Sequence, residues 1–179
     1  LIERIAEAEL PSRYGDFTAI AYRTLIDTRE HIVFVMGDIT GPEPTLVCVH
    51  DQCVTGDVLG SLGCDCKLQL QTAMQLVANE GRGVIVYLYQ QGRGIGVHQK
   101  AGLQVQPDVI SSADVTAAES LGIPDYGIAM QILVDLGVQK MRLITDNPVT
   151  RSHSLSGYGL EIAEVVSFDE SSANNVSIS

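Results

Sequence analysis

The chain has 179 residues, of which 45% are hydrophobic, and a formal net charge of −11 at pH 7. This length suits one domain with a buried core. The acidic balance argues against a nucleic-acid polymer as a partner, because proteins that bind one usually present a basic face. No apolar run approaches the ~18 residues of a membrane span. Residues 1–5 lack the basic and apolar segments of an export signal, so we expect a cytoplasmic protein that does not enter a membrane.

Three strands are predicted in the first third of the chain. Residues 17–25 and 31–37 are rich in β-formers on either side of a polar turn, which predicts an antiparallel pair. A third strand is predicted over residues 45–50, after a turn with two prolines. Alternation along it places Leu46, Cys48 and His50 on one face. Cys48 and His50 would then both face the cysteines that follow.

The rest of the chain alternates predicted helices and strands. Apolar residues at helical spacing predict a helix over 67–79, ended by Gly81. The apolar run 84–89 predicts a buried strand in which Tyr87 and Tyr89 pack in the core, with a role in shaping the pocket as the less favoured alternative. Further helices are predicted at 113–121 and 126–136, strands at 141–145 and 160–168, and a loop at 102–112. We therefore predict an α/β domain over residues 1–170, followed by a polar, disordered tail at 171–179.

All four cysteines lie within residues 48–66, and Cys53, Cys64 and Cys66 have the spacing C-x10-C-x-C. Thiolates bind Zn²⁺ in a tetrahedron, and three protein ligands leave a fourth position for water, as in catalytic sites. Adding Cys48 or His50 would instead close the site and make it structural. Disulfides and buried free thiols are the alternatives. Metal is favoured because cysteine clusters in chains without an export signal are more often ligands.

A glycine-rich segment, Gln-Gly-Arg-Gly-Ile-Gly at residues 91–96, follows the apolar strand. Its backbone N–H groups and Arg93 could wrap a phosphate. A plain tight turn is the alternative, because glycine loops are common.

Taken together, the motifs resemble those of GTP cyclohydrolase II, a zinc enzyme of riboflavin biosynthesis, over residues 5–166. The motifs include the cysteine cluster and the glycine-rich segment. The matching segments are residues 6–16, Val49-His50, 53–57, 64–66, 92–96, Lys100, 125–133, 136–138, Asn147-Pro148 and 157–160.

The resemblance implies a mixed sheet with flanking helices, a homodimer, and hydrolysis of GTP at C8 of the guanine ring, with release of formate and pyrophosphate. The implied zinc ligands are Cys53, Cys64 and Cys66, and a zinc-bound water would attack the ring carbon. Mg²⁺ would bridge phosphates if the substrate carries them. The implied substrate contacts are His50, Gln52, Gln69, Gln91, Gly92, Arg93 and Arg151.

The chain also departs from the family pattern at positions that serve GTP. Glutamate is replaced by Gln52 and Gln91, and arginine by Cys48 and Gly63. No tyrosine follows Lys100 within residues 101–104. The segment Asp-x-Arg, which supplies the proposed general base and a phosphate-attacking arginine, is missing before Asp125. Thr150 stands where the family has lysine, and Arg151 is its possible substitute.

These losses predict weaker use of GTP. Replacing a carboxylate by an amide weakens hydrogen bonds to the N–H groups of guanine, and losing a general base typically costs about 10²–10⁴ in rate. The zinc motif is nevertheless intact. We therefore expect a zinc hydrolase that opens a C–N bond of a heterocycle or nucleotide other than GTP. The alternatives are an ordinary GTP cyclohydrolase II and a catalytically silent paralogue that binds a nucleotide or a partner.

Overall fold

The computed structural model describes residues 1–25, 29–89, 126–146 and 155–169. The predicted helix 113–121, the loop 102–112 and the tail 171–179 lie outside the described residues. So do four of the predicted substrate contacts, namely Gln91, Gly92, Arg93 and Arg151. These predictions, and the extent 1–170 of the domain, stay predictions.

The described residues form one seven-stranded mixed sheet with the order β1-β2-β3-β5-β4-β6-β7. The strands β1, β2, β3 and β5 pair antiparallel, whereas β5, β4, β6 and β7 run parallel to one another. The mixed α/β fold is thus confirmed, and six strands lie within two residues of their predicted bounds. The strands are β1 (Ile2–Ser12), β2 (Gly15–Thr24), β3 (Glu30–Met36), β4 (Thr45–Asp51), β5 (Gly83–Leu88), β6 (Lys140–Ile144) and β7 (Glu161–Val166).

Strand β1 was not predicted, and its irregularity explains why. The pairing register with β2 shifts between Arg4 and Ala6, so the alternation of apolar and polar residues changes phase there. Most of its side chains are exposed, and among the described residues β1 lies at an edge of the sheet. Alternation of apolar and polar residues that changes phase within a short, largely polar segment does not predict a strand.

Two helices cover opposite faces of the sheet. Helix α1 (Cys66–Glu80) was predicted over 67–79, and it ends at Gly81, whose φ of 73° is in the left-handed region. It packs Ala73 and Val77 against one face of β4 and β5. Helix α2 (Tyr126–Asp135), predicted over 126–136, packs four buried residues, Ala129, Met130, Ile132 and Leu133, against the opposite face. Among the described residues, neither helix combines the length and the apolarity needed to cross a bilayer.

The parallel part of the sheet defines the edge where a site is expected. Strands β4, β5 and β6 point the same way, so their carboxyl ends meet at one edge, which is where α/β proteins usually bind ligands. At this edge His50 on β4 is the register partner of Tyr87 on β5. The chain leaves β4 there and forms the cysteine segment before it enters α1. The cysteine segment therefore lies next to the carboxyl ends of β4 and β5, on the face of the sheet that α1 covers.

Candidate metal centre

Three of the four cysteines form a compact cluster at this edge. The Sγ atoms of Cys53, Cys64 and Cys66 all lie within 4.8 Å of one another, and those of Cys53 and Cys64 are 3.9 Å apart. Tetrahedral Zn–S bonds of about 2.3 Å place two sulfurs about 3.8 Å apart. The donor set and its spacing therefore fit one zinc ion. All four cysteines are free thiols, so the disulfide alternative does not apply to this structure.

Two of the three clustered cysteines lie at helix starts. Cys53 is the N-cap residue of a one-turn π-helix, Val54–Val58, and its Sγ accepts a hydrogen bond from Gly56 N at 3.4 Å. Cys66 is the first residue of α1. Unpaired N–H groups at a helix start favour negative charge, and hence thiolate sulfur. Single π-turns are frequently found at functional sites, and this one could not be predicted from a periodic pattern.

Gly56 provides the space in which the cysteines meet. A Cβ atom at this position would lie 2.6 Å from Cys64 Sγ, 2.9 Å from Cys66 Cβ and 3.2 Å from Cys53 Sγ. Any other residue would therefore displace at least one ligand. The backbone of the π-turn packs directly against the three cysteines, and this contact requires glycine at position 56.

Asp57 connects the cluster to the sheet. Its Oδ2 accepts hydrogen bonds from Cys53 N at 2.9 Å and from the Tyr87 hydroxyl at 2.8 Å, and its Oδ1 lies 3.0 Å from His50 Nε2. The rings of His50 and Tyr87 stack with their centroids 5.6 Å apart. The side chains of His50 and Asp57 are only 6% and 3% exposed. Asp57 is thus a buried carboxylate with three polar neighbours.

The hydrogen bonds decide the protonation of this carboxylate. Burial alone would raise the pKa of Asp57, but the bonds from His50, Cys53 N and Tyr87 outweigh burial and hold the pKa below its usual value. Burial, followed by the bond to Asp57, raises the pKa of the Tyr87 hydroxyl. Tyr87 therefore stays protonated and remains a donor to Asp57. The result is a fixed negative charge next to the cysteine cluster.

Cys48 is not part of the cluster. It is 1% exposed and packs among apolar residues beneath α1, including Phe17, Ala73 and Ile85. Burial raises the pKa of its thiol to about 12, which keeps it neutral and poorly suited to bind a metal. His50 shares the face of Cys48 as predicted, but its Nε2 meets Asp57. Among the described residues, no fourth cysteine, histidine or carboxylate joins the three sulfurs.

Three of the predicted substrate contacts lie in the described part of the chain. His50 is at the carboxyl end of β4, and Gln52 follows that strand, with its backbone N–H donating to Leu88 O at 2.8 Å. Gln69 lies in the first turn of α1 and donates from Nε2 to Asp65 Oδ2 at 2.8 Å. All three lie within three residues of a clustered cysteine along the chain. Their contact with a substrate stays a prediction.

Sequence reasoning missed two residues of this site. Tyr87 was expected to be a core residue, yet its hydroxyl reaches Asp57, while Tyr89 is 43% exposed. Asp57 was noticed only as part of a family motif. The sequence did contain a signal for Asp57, because it is the one acidic residue in the π-turn after Cys53. A carboxylate buried at that position needs hydrogen-bond donors around it. The tyrosine is 30 residues away, and sequence alone does not reveal that contact.

Comparisons with known proteins identify similarity along most of the chain. A family model described as GTP cyclohydrolase II matches residues 3–167. The riboflavin biosynthesis protein RibBA of Rhodococcus jostii (strain RHA1) is 49% identical over 176 residues, covering 93% of this chain and 42% of the relative. RibBA of Chlorobium phaeovibrioides is 48% identical over 171 residues, covering 93% and 41%. The chain thus spans less than half the length of the curated relatives it matches.

A solved structure supports the fold. The two-domain 3,4-dihydroxy-2-butanone 4-phosphate synthase RibBX from A. baumannii superposes with a TM-score of 0.60 at 24% sequence identity, covering 92% of this chain and 40% of that one. At this identity the likeness concerns the fold alone. The family model covers nearly the whole chain, and the curated relatives share almost half of its residues. The chain belongs to the GTP cyclohydrolase II family.

Proposed function

We propose that this chain carries a zinc-dependent hydrolase centre that opens the guanine ring of GTP, with release of formate and pyrophosphate. The observation that carries the proposal is the cluster of three cysteine sulfurs within 4.8 Å, which no fourth protein ligand joins among the described residues. Zinc held there would supply Lewis acidity and lower the pKa of a bound water towards about 7. Three protein ligands with the fourth position left to water would suit a catalytic zinc site rather than a closed structural one.

The protein's own residues would bind and orient the nucleotide. Cys53, Cys64 and Cys66 would hold the metal; Cys53 is buried, whereas Cys64 and Cys66 are partly exposed. Gln52 and Gln69 lie within three residues of a clustered cysteine along the chain. Their amides would offer both donors and acceptors to the edge of a purine. Arg93 and Arg151 would pair with the phosphates, together with Mg²⁺.

The relatives favour GTP over the changed substrate that the sequence led us to expect, because the identity of 48–49% extends over 93% of the chain rather than over isolated motifs. The cysteine cluster and the network around Asp57 favour a working centre over a silent paralogue, whichever ring is the substrate. We therefore place GTP first, and we assign the work of the missing residues to others in the chain.

A changed substrate remains the second candidate, and specific residues favour it. Gln52 and Gln91 replace glutamates of the family, and the Asp-x-Arg segment is absent before Asp125. A ring that offers fewer N–H donors than guanine would suit the two amides better than two carboxylates. Such a substrate would still lose a C–N bond at the same metal centre.

The test is turnover of GTP by the full chain, with formate and pyrophosphate measured separately. The expected result is release of both products by zinc-loaded protein, and none by a Cys64→Ser variant or by protein stripped of zinc. Zinc-dependent formate release from another purine or pyrimidine, with GTP inert, would support the second candidate. If no ring is opened in a broad screen while GTP still binds, the chain is a silent nucleotide-binding paralogue and both proposals fail.

We also propose the setting in which this centre works. Four free cysteines suit a reducing compartment such as the cytoplasm. The net charge of −11 disfavours a nucleic-acid polymer and leaves a small nucleotide as the ligand. A homodimer is the expected assembly, and sedimentation of the full chain at several concentrations would reveal a monomer if this is wrong.

A further inference from the structure

Asp57 contacts the metal centre without being one of the candidate ligands. Its carboxylate is almost fully buried, and burying an unpaired carboxylate is costly. The three donors around it offset that cost. One of them is the backbone N–H of Cys53, a residue whose sulfur belongs to the cluster. The network therefore connects directly to the backbone of a ligand.

Cys53 and Asp57 are joined twice. The backbone N–H of Asp57 donates to Cys53 O at 2.6 Å, and the carboxylate of Asp57 accepts from Cys53 N at 2.9 Å. This pair of bonds closes one helical turn and satisfies a backbone donor at the start of that turn. It holds the backbone of Cys53 at φ −131° and ψ 90°, which sets the direction of the Cα–Cβ bond that carries Sγ.

The other two neighbours anchor Asp57 to the sheet. His50 and Tyr87 are register partners on the parallel strands β4 and β5, and their rings are nearly parallel, at 13°. Strand pairing sets the position of both residues, so the carboxylate that is hydrogen-bonded to both of them has little freedom. A rigid sheet edge is thereby connected through one carboxylate to a ligand in a short turn.

We propose that Asp57 is a positioning residue of the metal centre, which aims Cys53 Sγ at the other two cysteines and is itself held in place by Tyr87 and His50. The proposal rests on the proposed zinc centre, and it adds a residue that binds neither metal nor substrate. Residues that orient metal ligands typically account for about 10–100-fold in metal affinity. A purely structural role in the turn would change stability and leave metal affinity as it is.

The chain offers a matched control for this distinction. Tyr22 donates its hydroxyl to Asp135 at 2.6 Å, as Tyr87 does to Asp57 at 2.8 Å. Tyr22 belongs to the cluster on the opposite face of the sheet, against α2. Tyr87→Phe and Tyr22→Phe each remove one tyrosine–aspartate hydrogen bond, but only the first bond touches the metal centre. Asp57→Asn keeps the shape of the side chain and one acceptor oxygen, so it perturbs folding less than Asp57→Ala.

The experiment measures zinc affinity of the full chain by competition with a chromophoric chelator, together with the absorption spectrum after loading with Co²⁺. Asp57→Asn and Tyr87→Phe are each expected to weaken zinc binding, about tenfold or more for Asp57→Asn. Both are expected to shift the cobalt bands, which report the arrangement of the sulfur ligands. Tyr22→Phe is expected to lower the melting temperature about as much as Tyr87→Phe, with unchanged zinc affinity and cobalt spectrum.

Two results would overturn the inference. One is wild-type zinc affinity and cobalt spectrum in Asp57→Asn; the other is an effect of Tyr87→Phe no larger than that of Tyr22→Phe. Failure of the proposed function is distinguishable, because it shows in the wild-type chain itself as no tight zinc binding or as zinc binding without ring opening. If Asp57→Asn does not fold, the comparison of the two tyrosine variants decides alone.

Discussion

A methyl group on Gly56 would lie 2.6 Å from the sulfur of Cys64. Carbon and sulfur cannot approach so closely, so the absence of a side chain at Gly56 is a condition for the cysteine cluster. The same methyl would also lie 2.9 Å from Cys66 Cβ and 3.2 Å from Cys53 Sγ, and would thus crowd all three cysteines at once. The positions of the cysteine sulfurs therefore depend on the backbone at Gly56.

Gly56→Ala is therefore expected to weaken zinc binding by an order of magnitude or more, because at least one sulfur must leave its place. Zinc content after purification and chelator competition measure the effect. Gly63→Ala is the matched control in the same segment, since among the described residues a Cβ there meets only Ser61 Oγ, at 3.4 Å. Equal zinc affinity in the two variants would show that the cluster tolerates the methyl.

Cys48→Ser is expected to keep about one zinc per chain. The thiol lies in an apolar core away from the cluster, so its loss removes no ligand. The serine hydroxyl in that core should instead lower the free energy of unfolding by about 1–3 kcal/mol. Metal analysis and urea unfolding separate the two effects, with Cys53→Ser as the variant that should lose zinc. A folded Cys48→Ser protein without zinc would mean that Cys48 is a ligand.

Gln52→Glu tests recognition of guanine. Hydrogen bonds to a charged acceptor contribute roughly 1.5–3 kcal/mol, against about 1 kcal/mol for a neutral one. If Gln52 faces the ring, the restored carboxylate should tighten GTP binding several-fold, as measured by calorimetry. Gln75→Glu introduces the same charge on an exposed part of α1 and should leave GTP binding unchanged. Unchanged or weaker binding in Gln52→Glu would remove Gln52 from the GTP site or favour a different ring.

Asp135 is expected to contribute stability that acid removes. The hydrogen bond from Tyr22 lowers the pKa of Asp135, burial opposes this, and Arg4 at 3.0 Å lowers the pKa further. Because the folded pKa lies below the unfolded value of about 3.9, the contribution is present above that pH and is lost as pH falls through the folded pKa.

Urea unfolding of Asp135→Asn at several pH values measures this contribution. The variant should be less stable than wild type at pH 7, and the gap should close as the pH falls below about 4. The carboxylate is nearly half exposed, so solvent screening keeps the gap within about 1 kcal/mol. A gap of the same size at pH 7 and pH 3 would contradict the assignment.

Local patterns predicted most of the described fold. The apolar run of β5 and the helical spacing of α1 are properties of short segments, so their bounds follow from sequence within one or two residues. The bulge in β1 and the π-turn after Cys53 interrupt any regular period. The order in which β5 inserts between β3 and β4 depends on contacts between segments far apart in the chain, and no local pattern encodes it.

The sequence by itself predicted the set of candidate metal ligands, because C-x10-C-x-C presents three soft donors close together in the chain. Only the tertiary structure decided which neighbours serve that set. Cys48 shares a strand face with His50, yet packing beneath α1 buries it in the core, whereas pairing of β4 with β5 brings Tyr87 and His50 to Asp57. Ligand chemistry is a property of residue types and spacing. The orientation of those ligands depends on strand register, which exists only once the sheet has formed.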